Sequence, residues 1–283
     1  MIPIGSLLLV VALSSPSTKQ AEYLNLVAAT LINPVSHAEL STAVLSADGV
    51  DAIRTLFEQS VAESLTVNGV LVTPELGGES MLGNDGRLEM VVYPDPIHPV
   101  VREIASRKDE PEELLKFLES SAEGRFLLKH TGGLHALLYQ MTTSPTSPTG
   151  AQRDLLDDVI ERTVAEHFRT WTTDPLIQSQ MIAKTEWNGR YLGFWHIHPP
   201  RLKQWSPTEG IEPSMTDMRN AVELGQFLTI VFQPDGFDVY DLSPLAALGR
   251  ADLSRAELIR YRSPDWRRHF AAQLRIAQSS NAP

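Results

Sequence analysis

A chain of 283 residues is long enough to bury a sizeable core, as one large domain or two modest ones. It contains no cysteine, which excludes disulfides, a thiol nucleophile, thiolate zinc fingers and iron–sulfur clusters, so imidazole and carboxylate must hold any metal. A formal charge of −11 argues against a mainly electrostatic grip on DNA or RNA.

In chain order, the first apolar run is Leu7 to Leu13, with no Lys or Arg before it. It is too short to cross a bilayer and lacks the basic start of a secretory segment, so it predicts a buried strand in a cytoplasmic protein without membrane contact. Ala21 to Ile32 and Ala52 to Ser64 have apolar residues at helical spacing. Gly69 to Thr73, after the Asn68-Gly69 turn, and Leu88 to Tyr93, after GNDG, predict strands. The proline-rich stretch Tyr93 to Val100 suggests a boundary, giving an N-terminal α+β region at 1–98 of unknown role and a second domain at 99–283.

In that second part Pro111 to Ser121 predicts a helix, with Pro at its start and acidic residues in its first turn. Phe126 to Leu128 is expected as a strand, Thr131-Gly132-Gly133 as a turn and Leu134 to Met141 as the returning strand. A surface loop at Thr142 to Gly150 and a helix at Leu155 to Phe168 follow. Tyr191 to Trp195 predicts a short strand, Met218 to Leu224 a helix, Phe227 to Phe232 a strand, and PDGFDVYDL a turn with one more strand. The alternation fits an α/β (α+β) fold, a mixed sheet flanked by helices. Six arginines from Arg255 to Arg275 give the C-terminal tail a basic patch.

The chemistry concentrates in GFWHIHPP, Gly193 to Pro200, and in PSMTD, Pro213 to Asp217. His196 and His198 stand at i and i+2, which on a strand puts both rings on one face while Ile197 points to the other. Pro199 and Pro200 end the strand, so the pair lies beside loops, where open sites occur. Two His and one carboxylate meet the ligand count of a catalytic zinc that keeps one position for water. There is no phosphate-binding loop, dinucleotide fingerprint or serine elbow.

WHIHPP with PSMTD resembles the signature of the JAB/MPN (JAMM) zinc metalloproteases, bacterial type: HxHP, then Ser-x-x-Asp, with a separate upstream Glu. The resemblance covers about residues 110–245 and is strongest at the two motif halves. It implies a JAB/MPN-like fold with cytidine-deaminase-like layering, zinc held by His196, His198 and Asp217, and Ser214 at the oxyanion. The gap from His198 to Ser214 is longer than the family's, and within it Ser206 and Glu209 repeat the pattern with Glu209 as a competent substitute for Asp217.

For the general base the resemblance points first to Glu123, expected between a helix and a strand. Glu75, in TPELGGESMLGNDG, looks more like the family's Glu-Gly-rich start but needs a longer excursion to the His pair; Glu79 lies in the same segment. Trp195 and Trp205 flank the motif as groove or packing residues, and His130 and His135 suit exposed hairpin positions. The family implies hydrolysis of an isopeptide or peptide bond at the C-terminus of a ubiquitin-like modifier, in some bacterial members within antiviral conjugation systems. Partners would be that modifier, its conjugates and components of such a system. A non-catalytic JAB/MPN scaffold and a zinc amidase for small substrates are the alternatives.

Overall fold

The structure is a computed structural model and describes residues 17–144, 147–167, 175–198, 227–242 and 257–280. Three helices come first: α1 (Thr18–Ile32), α2 (His37–Val44) and α3 (Ala47–Ala62). Four strands follow: β1 (Leu65–Val67), β2 (Val70–Val72), β3 (Gly77–Gly83) and β4 (Leu88–Tyr93). A helical run then holds α4 (Ile97–Ser106), α5 (Pro111–Ser120), α6 (Ala122–His130), α7 (Leu134–Thr143), α8 (Gly150–His167) and α9 (Pro175–Lys184). The remaining elements are β5 (Gly189–Ile197), β6 (Leu228–Gln233), β7 (Gly236–Asp241), β8 (Glu257–Arg262) and α10 (Pro264–Ser280). Among the described residues no helix is long and apolar enough to cross a membrane.

The chain forms two compact units. One is drawn from the described residues of Met1–Ser60, Leu76–Pro94 and Thr173–Ala272, the other from those of Val61–Glu75, Asp95–Thr172 and Gln273–Pro283. The expected division at 98/99 is therefore corrected: β3 and β4, from the presumed N-terminal region, pair into one sheet with β5 to β8.

The first unit is a mixed sheet with strand order β4-β3-β5-β6-β7-β8 and helices packed on it. All neighbours are antiparallel except β5 and β6, which run parallel. On one face α1 and α9 cover Met81, Tyr191 and Trp187. The opposite face carries Trp195 and Phe232, with ring centroids 5.7 Å apart. There Phe237 meets Trp266 of α10, whose Phe270 packs on Phe57 of α3 at 4.3 Å. Trp195 is fully buried, and its indole N–H donates to the carbonyls of Glu79 and Val91, both at 3.2 Å. Of the two roles open to it, packing is the one it has.

Gly78, the ladder partner of Trp195, permits this close layering. A Cβ there would lie 1.8 Å from the Val91 carbonyl oxygen. A bulge at Ser80/Met81 shifts the register so that Met81 faces Tyr191, and Gly193 sits there with φ 140°, a value glycine adopts without strain.

The second unit is mainly helical, with the small β1-β2 hairpin beside it. Two expected strands are corrected here. Leu134, Leu137, Leu138 and Met141 are buried at i, i+3, i+4 and i+7, the stripe of a helix, and they form α7. Phe126 to Leu128 lies in α6, which is capped by Ser121, whose hydroxyl accepts from the Gly124 N–H at 2.9 Å, and which buries Gly124 and Leu127. The expected elements at Leu7 to Leu13 and Met218 to Leu224 fall outside the described residues.

Candidate metal centre

The His pair takes its place from the sheet. In β5, Gly77 of β3 pairs with His196 on one side and Val231 of β6 on the other. The ladder with β3 continues one step further, because the Ile197 N–H donates to the Leu76 carbonyl at 2.9 Å. His198, just past the strand, donates its N–H to the Phe232 carbonyl at 3.0 Å, which anchors the second ring's backbone. This is the carboxyl end of the parallel β5–β6 pair, with β3 running antiparallel on the other side of β5.

Extending the β3–β5 ladder from Gly77–His196 through Leu76 sets Glu75 opposite His198. Glu75 is joined directly to Leu76 and takes its position from that ladder. One carboxylate oxygen of Glu75 and one ring nitrogen from each of His196 and His198 lie within 4.8 Å of one another, and all three residues are half-buried. The two Nε2 atoms are 2.9 Å apart. At that distance one ring nitrogen donates its proton to the other. Two imidazoles and a carboxylate are a donor set that zinc accepts.

The other residues expected at the site have different fates. Glu123 lies in the first turn of α6, not ahead of a strand, and belongs to neither carboxylate–histidine group found among the described residues. Asp217, Ser214, Ser206, Glu209 and Trp205 fall outside the described residues. His130 and His135 sit on α6 and α7, exposed as expected but helical: His130 Nδ1 is 2.8 Å from the Phe126 carbonyl, and His135 pairs loosely with Glu119 at 3.9 Å.

Glu79, also in the Glu-rich segment, has become a core residue. It is 0% exposed, and Tyr23 Oη and Gln178 Nε2 donate to its Oε1 at 3.0 and 2.9 Å. Burial pushes its carboxyl up to about 7, against the opposing pull of hydrogen bonds from Gln178 and the tyrosines. Burial, and the carboxylate beside them, push the Tyr23 and Tyr191 hydroxyls well up.

No family model matches the chain, and neither a curated protein nor a solved structure resembles it significantly.

Proposed function

We propose that this chain is a zinc-dependent peptidase of JAB/MPN type, cutting an isopeptide or peptide bond at the C-terminus of a ubiquitin-like modifier. The observation that carries the reading is the convergence of Glu75, His196 and His198 at the carboxyl end of β5. The i, i+2 spacing supports the His pair as two ligands, and the β3–β5 ladder supports Glu75 as the carboxylate beside them, more than a hundred residues upstream.

His196 and His198 would hold the zinc, with Asp217 as third ligand by the family pattern. When bound, zinc supplies a Lewis acid that polarises the scissile carbonyl and acidifies water. Glu75 is the proton carrier. Its carboxylate takes a proton from the attacking water as the new C–O bond forms, and returns it to the departing amine nitrogen as the C–N bond breaks. Ser214 would donate its hydroxyl to the carbonyl oxygen as negative charge develops there. The base thus passes from Glu123 to Glu75.

The test is cleavage of a ubiquitin-like modifier fused through its C-terminus to an amine, with zinc-loaded protein, a chelated control, Glu75→Gln and Glu123→Gln. Zinc-dependent cleavage lost in Glu75→Gln and kept in Glu123→Gln is the expected result. Cleavage that survives Glu75→Gln overturns the assignment of the base. Zinc binding with no cleavage of any modifier or small amide would make the chain a scaffold instead.

A further inference from the structure

A second group of metal-ligating side chains lies elsewhere in the sheet unit. Asp241 ends β7 and Glu257 begins β8, and the two are direct partners in the antiparallel ladder, so their side chains share one face. Like charges directly opposite one another across a ladder repel, and a cation placed between them reverses the sign.

A third donor comes from α2. Its start is fixed by a capping box: the Glu39 carboxylate accepts from the Ser36 N–H at 3.0 Å, and the Ser36 hydroxyl accepts from the Glu39 N–H at 3.3 Å. That cap makes His37 the first residue of the helix, with its Nδ1 against a Glu257 carboxylate oxygen. One donor atom from each of His37, Asp241 and Glu257 lies within 4.8 Å of the others. Asp241 is 4% exposed, whereas the His37 and Glu257 side chains are 36% and 51% exposed. The group therefore has a buried floor and an open mouth through which water can complete a coordination shell.

Independently of the peptidase reading, we propose that His37, Asp241 and Glu257 form a second divalent-cation site, of the zinc class, that ties the start of α2 to the β7–β8 edge. One imidazole nitrogen and two carboxylate oxygens suit zinc or manganese; the lack of a sulfur ligand makes the site a poor one for soft ions. The competing account is a plain His37–Glu257 ion pair, which at such exposure contributes little to stability and is indifferent to zinc.

The experiment counts zinc, supplied alone, on the full chain after equilibrium dialysis, and follows melting temperature with and without the metal. Wild type is expected to bind two equivalents, His196→Ala one, and His196→Ala combined with Glu257→Gln none. Zinc should raise the melting temperature of His196→Ala and leave that of the combined variant unchanged. Circular dichroism confirms that each variant folds, and His37→Asn replaces Glu257→Gln as an independent way to remove the site. The proposal is overturned if His196→Ala binds no zinc, or if its zinc survives both second substitutions. A wild type holding one equivalent that Glu257→Gln removes and His196→Ala does not would instead sink the His-pair centre and leave this site standing.

Discussion

Glu75 and Glu79 lie four residues apart on one stretch of chain, with the alternation of a strand turning both to the same face of the sheet. Glu75 is half-buried beside two imidazoles at the end of β5. Glu79 is sealed under α1 and α9, with its carboxyl held by Tyr23 and Gln178 and raised by burial to about 7. The same side chain is thus available for proton transfer in one place and locked into packing in the other. What separates them, among the described residues, is that α1 and α9 close over Glu79.

The comparison can be broken by exchanging each carboxyl for its amide. Glu75→Gln is expected to lower the cleavage rate by about 10²–10⁴-fold, the usual contribution of a positioned base, with little change in melting temperature; single-turnover kinetics on the zinc-loaded protein measure it. Glu79→Gln should do the reverse, leaving zinc binding intact and changing how stability depends on pH. Between pH 4.5 and 7 folded Glu79 keeps its proton while the unfolded chain has released it. Stability from this group is therefore complete below about pH 4.5, falls as pH rises, and levels off above 7. The window amounts to about 3 kcal/mol, and urea titrations across pH should show that slope in wild type and its absence in Glu79→Gln.

Two smaller effects sharpen the contrast. Tyr23→Phe removes a donor from the buried carboxyl and is expected to cost about 1–2 kcal/mol in denaturant unfolding, with no effect on zinc affinity. Glu123→Gln, in the first turn of α6, should change neither cleavage nor zinc content by more than about twofold, in keeping with a surface substitution of about 0.5 kcal/mol or less.

Much of the sheet was legible from its apolar runs: β4 spans Leu88–Tyr93 as expected, and β5 and β6 lie within two residues of the predicted strands. The His pair was legible as well, because an i, i+2 spacing declares its own geometry once the strand is recognised. The carboxylate was harder. GGESMLG, which forms β3, has three glycines and no β-branched residue, so it carries almost no strand signal. Gly78 is required there because Val91 leaves no room for a Cβ, so the feature that hides the strand is one its packing demands. With β3 unrecognised, the long excursion from Glu75 to His196 counted against Glu75, although the β3–β5 ladder closes it. The error at α7 was of another kind. The i, i+3, i+4, i+7 pattern from Leu134 to Met141 is present in the sequence, and the adjacent Gly132-Gly133 turn competes with it as a hairpin signal.

The pairing of Gly77 with His196 also bears on how the protein comes to exist. The two partners are separated by on the order of 120 residues, and closing a loop that long costs about 4 kcal/mol of chain entropy before any contact offsets it. The helical cluster from Val100 to Val164 is built largely from near neighbours along the chain and should condense early. During refolding, far-ultraviolet circular dichroism should therefore recover before zinc affinity does. A polypeptide still emerging from the ribosome would have its helices before the pairing of β3 with β5 sets Glu75 beside His196 and His198.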